Sequence, residues 1–405
     1  MGVNSYGIGR GGQQQQQHQQ GGRGGRGGRN NSNNNGRGRG RSGRGGGRGG
    51  NSNSRGGNGG RSGRGDTNLK YDSSQYDRIE EINGVGVVNI SDSTSNDNDI
   101  IRIAIEGCCH GELDLIYDRL LDHELQTKTK IDLLLCCGDF QSLRNELDFQ
   151  SSSIPSKYQK LGTFCQYYSG QKKAPIPTIF IGGNHEASQS LRELYYGGYV
   201  APNIYFMGAA ASIIYRGIRI GGISGIYKSF DYTQGHHERI PYDYKSNKSV
   251  YHTRNVDIER MKSLKSSTTT SQEDNKKKKL DIVLSHDWPL GIEQHGNTQA
   301  LIRKKPFFRQ EIQNNDLGST PNRDVLDTLQ PKYWFAAHLH VKFHATVIHK
   351  NDFLALDKCL PRRQFLSILN LKVPDNTKTK EYHIEYDPEW LAILKKTHHW
   401  NSTQR

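Results

Sequence analysis

Five short apolar runs, each followed directly by a polar cluster, constrain the fold of this chain more than any other feature of its sequence. The runs cover 101–105, 131–137, 177–181, 280–284 and 332–337. They are rich in β-branched and aromatic residues and nearly continuous in apolarity, which is typical of strands buried on both faces. Helical spacing at 112–124 and 322–329 supplies the expected crossovers. The pattern predicts an α/β fold in which helices flank the sheets.

The polar clusters stand at the carboxyl ends of these predicted strands. They are Cys108-Cys109-His110, Gly138-Asp139, Gly182-Gly183-Asn184-His185-Glu186, Ser285-His286-Asp287 and His338-Leu339-His340. In open α/β sheets ligands bind outside the carboxyl ends of the strands, where side chains distant in sequence converge. Thiolate, imidazole, carboxylate and amide groups form a ligand set suited to transition metals. The sequence therefore predicts one metal site at the end of the sheet.

Spacing within two of the clusters suggests how the ligands are presented. Residues i and i+2 of an extended segment point the same way, so Cys108 and His110 should offer two ligands to one side. The same spacing recurs in His338 and His340. Two metals about 3.5–4 Å apart form the arrangement used for phosphoester hydrolysis, and Asp139 is the natural carboxylate to bridge them.

The order of the clusters resembles the metallophosphoesterase superfamily, whose pattern runs D-x-H, G-D, G-N-H-E, H and G-H-x-H. Two departures are informative: Cys108 stands at the place of the first Asp, and Ala337 replaces the Gly before the final H-x-H. The cysteine and its surroundings resemble the RNA lariat debranching enzymes specifically. The segments that carry this closer resemblance are 107–113, 182–186, 285–289 and 356–361, and the resemblance as a whole covers about 101 to 394.

The resemblance implies a role for each residue of the site. One metal would be held by Cys108, His110, Asp139 and His340, and the other by Asp139, Asn184, His286 and His338. A metal-bridging hydroxide would be the nucleophile. His185 would contact the scissile phosphate and protonate the leaving oxygen, because an imidazole titrates near neutrality. The implied reaction is hydrolysis of the 2′,5′-phosphodiester at the branch point of excised intron lariat RNA, which linearises introns for turnover.

The cysteine ligand bears on the choice of metal and on where the protein works. A soft thiolate favours Fe(II) or Zn(II) over Mg(II), so we expect iron and zinc, with Mn(II) as a workable substitute. Six cysteines without a regular disulfide framework indicate a reducing compartment. The lariat substrate implies the nucleus, with the cytoplasm as a second location. No run of about 18 apolar residues occurs, so we expect no membrane partner, and we expect a monomer.

The positive charge of the chain lies almost entirely in its first 65 residues. They contain twelve Arg and no Lys, Asp or Glu, so of the net charge of +14 only +2 remains for the rest. Arg-Gly repeats, with glutamine and asparagine runs, contain too few apolar residues to offset the entropy of folding, which predicts disorder. Such segments bind RNA through phosphate attraction and stacking without sequence preference. An inert low-complexity extension is the alternative.

Selectivity for a branched nucleotide is expected from the segment 221–255. Its aromatic and cationic residues alternate in a turn-rich stretch, and its place matches the lariat-recognition loop of the family that the chain resembles. The candidate substrate-binding residues are Tyr227, Phe230, Tyr232, Arg239, Tyr242, Tyr244, Lys245 and Arg254. The alternative is an ordinary long surface loop whose aromatic residues pack on the body.

The predicted domain organisation follows from these assignments. Residues 1–98 form a disordered tail, 99–350 the catalytic domain with a flexible insertion at 263–279, 351–397 further strands and a helix packed on that domain, and 398–405 a short tail. The predicted fold is a metallophosphoesterase-like sandwich of two mixed sheets flanked by helices.

Two other classes of function remain open at this stage. One is a different phosphoesterase on the same scaffold, such as a protein phosphatase or a DNA nuclease. The sequence after Asp139 continues as Phe-Gln-Ser-Leu, without the arginine-bearing continuation of the serine/threonine phosphatases. The other is a non-catalytic RNA-binding scaffold, although every ligand position of the pattern is filled.

Overall fold

The computed structural model describes residues 72–82, 100–264, 279–347, 351–373 and 383–401. Fourteen strands in this part of the chain form two seven-stranded sheets. The strands are β1 (Glu80–Glu81), β2 (Ile100–Glu106), β3 (Leu133–Cys136), β4 (Thr178–Phe180), β5 (Gly198–Ala201), β6 (Ile204–Phe206), β7 (Ala210–Tyr215), β8 (Ile218–Ile223), β9 (Ile282–Ser285), β10 (Tyr333–Ala336), β11 (Phe343–Val347), β12 (Asn351–Ala355), β13 (Leu366–Lys372) and β14 (Ile384–Tyr386).

Ten α-helices and several short 3-10 helices connect these strands in the described residues. The α-helices are α1 (Leu113–Thr127), α2 (Phe164–Tyr168), α3 (Ser188–Glu193), α4 (Ser229–Tyr232), α5 (Ser246–Ser249), α6 (Asn255–Ser263), α7 (Thr298–Lys304), α8 (Phe308–Asn314), α9 (Thr320–Leu329) and α10 (Pro388–Lys396). The 3-10 helices are Ser73–Gln75, Glu146–Ser151, Ser156–Tyr158, Ile292–His295 and His398–Trp400. No helix in the described ranges has the length and apolarity that crossing a membrane requires.

The two sheets share a similar order of strands when the second is read from its opposite edge. The first runs β1-β13-β2-β3-β4-β6-β5, and the second, read in that direction, runs β14-β7-β8-β9-β10-β12-β11. In the first, β2, β3, β4 and β6 are parallel, and in the second, β8, β9, β10 and β12 are parallel. The five predicted strands are β2, β3, β4, β9 and β10. The prediction of a two-sheet α/β sandwich flanked by helices is confirmed.

Burial on both faces explains why the sequence of strand β2 is almost continuously apolar. All of its residues are buried, and its side chains alternate between two cores. Ile103 and Ile105 belong to the core between the sheets, whereas Ala104 belongs to the core beneath α1. Full burial of an isoleucine side chain contributes about 1.5–3 kcal/mol, so both faces of the strand stabilise the fold.

The ends of the described chain are built into the sheets more deeply than the sequence suggested. Residues 72–82, predicted to belong to the tail, include β1, which pairs with β13, and Ile79 and Ile82 are buried. β13 lies between β1 and β2, and β12 lies between β11 and β10. The segment 351–397 therefore completes both sheets instead of packing on a finished domain. The Arg/Gly-rich residues 1–65, and 265–278 of the predicted insertion, lie outside the described residues.

Local signals of the sequence correspond to local structure at two places. Strands β7 and β8 form a hairpin, and Arg216 and Gly217 between them have φ of 49° and 78°, as a two-residue turn of this kind requires. The predicted terminal helix is α10. It begins after Asp387, whose side chain accepts a hydrogen bond from Glu389 N, and has Pro388 at its first position.

The position of β13 inside the first sheet predicts a large effect of Leu369→Ala. Leu369 is fully buried opposite Ile103 of β2, so we expect the free energy of unfolding to fall by about 2–5 kcal/mol. Leu391→Ala on α10, where the side chain is 45% exposed, is the matched control and should change it by less than about 0.5 kcal/mol. Urea unfolding followed by tryptophan fluorescence measures both. Equal, small effects would mean that β13 is peripheral.

Candidate metal centre

The five polar clusters meet where strands of both sheets end. Cys108 and His110 follow β2, Asp139 follows β3, and Asn184 follows β4 in the first sheet. His286 follows β9 in the second sheet, and His338 and His340 follow β10. Contacts across the two sheets join them: His338 N donates a hydrogen bond to the Cys108 sulfur at 3.2 Å, and His286 Nδ1 donates to the Cys137 carbonyl at 2.7 Å.

Four of the seven predicted ligands form one compact group. Atoms of Cys108, His110, Asp139 and His340 that could bind a metal all lie within 4.8 Å of one another. Nε2 of His110 is 3.2 Å from Nε2 of His340. Two imidazole nitrogens that face each other this closely, beside a carboxylate and a sulfur, form a donor set suited to one transition-metal ion.

The other three predicted ligands adjoin this group through Asp139. Nε2 of His286 lies 3.3 Å from the Asn184 Oδ1 atom and 3.3 Å from Asp139 Oδ1. The rings of His286 and His338 are 4.9 Å apart. The second oxygen of Asp139 is 3.8 Å from Nε2 of His110. The Asp139 carboxylate therefore borders both groups of donors.

The backbone at the ligands differs from the extended conformation expected from spacing. His110, Asp139, His338 and His340 have φ of 48°, 47°, 62° and 50°, in the left-handed region. Strand alternation therefore does not present these side chains: Cys108 and His110 share one donor group as predicted, but the prediction is wrong for His338 and His340. His340 joins the group of Cys108, whereas His338 lies against His286. Left-handed residues other than glycine cost on the order of 1–3 kcal/mol each, and they cluster at functional sites.

Two histidines of the site are held in the form that binds metals. Burial, with the charge of His110, lowers the pKa of His340 to about 3. Burial, with the charge of His286, lowers the pKa of His338 to about 4. Burial alone would raise the pKa of Asp139, but His286, His110 and His185 hold it well below its usual range. Near neutrality His338 and His340 are thus neutral imidazoles close to a charged carboxylate.

The pKa shifts of Cys108 and His286 indicate how a bound cation would change the protonation of these two side chains. Burial, together with Asp139 and Glu106, raises the pKa of the Cys108 thiol well above its usual range. Burial lowers the pKa of His286, yet the carboxylate of Asp139 outweighs it and the net shift is upward. A metal ion favours the thiolate and displaces the histidine proton. The chemistry of these donors therefore fits the binding of divalent metal ions.

Glu186, the last residue of its cluster, ties two of the ligand loops together. Its buried carboxylate accepts hydrogen bonds from Phe140 N at 2.8 Å, Gln141 N at 2.9 Å and Gly183 N at 3.0 Å. It thus fixes the loop after Asp139 against the loop that holds Asn184. The sequence pattern contained Glu186 but gave it no role, because its partners are backbone amides that no side-chain pattern reveals.

His185 lies beside both groups without joining either. Its N–H donates to Asp139 Oδ1 at 2.8 Å, and its ring is 5.9 Å from that of His110. Nδ1 of His185 is buried and has no hydrogen-bond partner among the residues that the structure describes.

The amide of Gln141, which sequence reasoning missed, lies 3.0 Å from Nδ1 of His110 and orients that imidazole.

The segment 221–255 presents some of its predicted substrate-binding residues to solvent. Phe230 and Tyr244 are 67% and 76% exposed, and Arg239 and Lys245 are exposed as well. Lys248 Nζ lies 4.3 Å from the Tyr244 ring centroid. The partly buried members are Tyr227, Tyr232 and Tyr242. The first three residues of the segment belong to β8, so the loop proper begins after it.

Arg254 is the member of this set that the structure contradicts. Its side chain is fully buried, and its guanidinium donates to the carbonyls of Asp231 and Ser249 and to the carboxylate of Glu238. It holds the loop together from inside and has no surface to offer an RNA. A cation inside an aromatic-basic stretch looks like a contact residue in sequence, whereas its burial depends on partners that only the folded loop supplies.

Two family models match most of the described body. Residues 101–342 match the calcineurin-like phosphoesterases, and residues 349–405 match the C-terminal domain of lariat debranching enzyme. The first match contains every predicted ligand.

Curated relatives match across the same part of the chain. Lariat debranching enzyme A of Xenopus laevis is 53% identical over 306 residues, which are 73% of this chain and 54% of that protein. The lariat debranching enzyme of Homo sapiens is 50% identical over 307 residues, 73% of this chain and 54% of that protein. That of Arabidopsis thaliana is 50% identical over 301 residues, 73% and 68% respectively. The chain thus spans about half the length of its vertebrate relatives.

Two adjacent glycines provide a sharp test of the packing around Asp139. A Cβ atom on Gly183 would lie 2.3 Å from Asp139 Oδ1 and 2.4 Å from Asp139 N, which forces the ligand to move. A Cβ atom on Gly182 would meet ordinary contacts, the nearest at 3.6 Å. We expect Gly183→Ala to lose bound metal and Gly182→Ala to retain it, as measured by elemental analysis. Equal metal content would refute this packing.

Proposed function

The chain belongs to the lariat debranching enzyme family, and on that premise we propose that it hydrolyses the 2′,5′-phosphodiester bond at the branch point of excised intron lariat RNA. The observation that carries the proposal is the convergence of two donor groups on Asp139, with a cysteine at the first position. Hydrolysis of a phosphoester is the chemistry that two adjacent divalent ions perform.

The proposed metal ligands divide between two ions. One would be held by Cys108, His110, Asp139 and His340, and the other by Asp139, Asn184, His286 and His338. When bound, the ions supply Lewis-acid polarisation of the phosphate and an activated water for the attack. Fe(II) and Zn(II) are the proposed pair because a thiolate ligand favours soft ions, and Mn(II) is the workable substitute. Exposure to air would then lower activity through oxidation.

Residues of the site hold the histidines in position, and one histidine supplies a proton. Asp139 fixes the backbone of His185 through the hydrogen bond to its N–H, so this imidazole stays beside the metal ligands. We assign to His185 the contact with the scissile phosphate and the transfer of a proton to the leaving oxygen. The carbonyl of Cys137 holds Nδ1 of His286 and leaves its Nε2 to face Asp139 and Asn184.

Recognition of the branched RNA is assigned to exposed residues of the segment 221–255. Phe230 and Tyr244 offer rings on which bases can stack, and Arg239 and Lys245 offer charges to phosphates.

The Arg/Gly-rich residues 1–65 would bind RNA without sequence preference. Their removal should therefore weaken RNA affinity at low salt and leave the choice of bond unchanged. From the proposed substrate we infer that the protein acts in the nucleus, with the cytoplasm as a second location.

A branched RNA that carries both 2′,5′ and 3′,5′ linkages tests the reaction. With anaerobic protein reconstituted with Fe(II), Zn(II) or Mn(II), we expect cleavage of the 2′,5′ bond alone. His185→Ala should slow it by about 10²–10⁴-fold at unchanged metal content, because a general acid is lost. His344→Ala removes an exposed histidine of β11 and is the matched control. Cleavage of both linkages would indicate a general nuclease, and no cleavage with any metal would indicate a binding protein.

A further inference from the structure

A basic and aromatic surface adjoins the metal centre outside the residues assigned above. It consists of two segments, 303–309 at the end of α7 and 358–363 after β12, and we refer to it as the α7–β12 surface. Its cations are Arg303, Lys304, Lys305, Arg309, Lys358, Arg362 and Arg363, and neither segment contains Asp or Glu. Seven cations stand out because the whole chain after residue 65 has a net charge of only +2.

The second segment of this surface starts at a metal ligand. Lys358 pairs with Cys108 in an isolated parallel bridge, and Cys359 N donates to the Cys108 carbonyl at 3.1 Å. Backbone pairing brings the first segment toward the second: Gly296, two residues before α7, bridges Ala345 of β11, and β11 pairs Phe343 with Ala355 of β12, three residues before Lys358. Burial lowers the pKa of Lys305, and the charges of Arg363 and Lys358 lower it further against the opposing effect of Asp357. The cations of the two segments thus form one patch that reaches the site.

Little of this charge is neutralised inside the protein. Asp357 is buried and accepts hydrogen bonds from Lys358 N at 2.7 Å and from Arg363 at 3.2 Å. In the described part of the chain, no other carboxylate lies within 4.0 Å of a cation of this surface. A concentrated positive patch of this kind attracts a polyanion.

One aromatic ring stands out from the patch. Phe307 is 68% exposed, and Lys305 Nζ lies 5.9 Å from its ring centroid. The neighbouring Phe308 is buried and packs edge-on against Phe307, with ring centroids 4.6 Å apart, which anchors the exposed ring. An exposed ring flanked by cations is the combination that binds single-stranded nucleic acid, because bases stack on the ring while phosphates meet the charges.

We propose that the α7–β12 surface binds a single-stranded arm of the branched RNA as that arm leaves the metal centre. The proposal rests on the proposed function and deepens it. Three strands leave a branched nucleotide. The segment 221–255 follows β8, which β9 and β10 separate from β12 in the second sheet, so an arm that runs past Lys358 takes a separate path. Cations next to a stackable ring favour RNA over an acidic protein, which would use the charges but not the ring.

Two substrates separate arm binding from chemistry. One is a branched trinucleotide, and the other is the same branch with long single-stranded arms. The variants are Lys304→Gln/Lys305→Gln and Phe307→Ala. The matched control is Lys395→Gln/Lys396→Gln, an exposed pair on α10. Helix α10 packs on β7, near one end of the second sheet. Helix α7 lies near the other end, because it contacts the 3-10 helix Ile292–His295, which in turn contacts β11.

For the long-armed RNA we expect each variant to lower kcat/KM about five- to tenfold at low salt. The lysine pair should also make the fall of log(kcat/KM) with log salt shallower by about 1.4, as two lost contacts to single-stranded phosphates do. The trinucleotide should be cleaved at the wild-type rate by both variants, and the control pair should behave as wild type with both substrates.

Other outcomes overturn the inference in distinguishable ways. Equal losses on both substrates would mean that these residues act on the metal site itself. No loss on either would mean that the surface serves another partner, such as an acidic protein. If the wild-type protein cleaves neither RNA, the proposed function fails, and fluorescence anisotropy with the long-armed RNA then decides the inference: unchanged affinity in the lysine pair overturns it.

Discussion

The carboxylate of Asp139 is the interaction on which the rest of the site depends. It is almost fully buried, follows a strand of the first sheet, and faces His286 from the second sheet and His110 from its own. A buried charge is strongly unfavourable unless cations or hydrogen bonds offset it. The surrounding histidines hold the pKa of Asp139 low, and their own remaining nitrogens face the same space. A metal cation on each side of this carboxylate satisfies both requirements together.

The protein holds this arrangement with strained backbone and tight packing. Four of the predicted ligands adopt left-handed conformations, and Gly183 leaves no room for a side chain beside Asp139. Three backbone hydrogen bonds to Glu186 hold together the two loops around the Asp139 carboxylate. Strain of a few kcal/mol persists only where the surroundings over-determine the conformation. The rigid sheets beneath the loops provide that constraint, because the strands that carry them are buried on both faces.

Sequence reasoning could predict the parts of the structure that follow from local pattern and order. The five strands follow from continuous apolarity, and the convergence of the polar clusters follows from their place after these strands. It could not place β13 between β1 and β2, because that pairing is non-local. It assigned Arg254 to the substrate, since burial against Glu238 and Asp231 leaves no mark in the sequence. The α7–β12 surface escaped notice for the same reason: its two segments become one patch only in the fold.

Metal analysis of the anaerobically purified chain tests the central claim most directly, since two donor groups sharing Asp139 require two ions. We predict two divalent ions per chain, one iron and one zinc, by elemental mass spectrometry. Cys108→Ser should weaken retention of an ion, because the replaced thiolate is the soft ligand of its group. One ion per chain in the wild-type protein, or none, would contradict the account. So would full retention of both ions after the substitution.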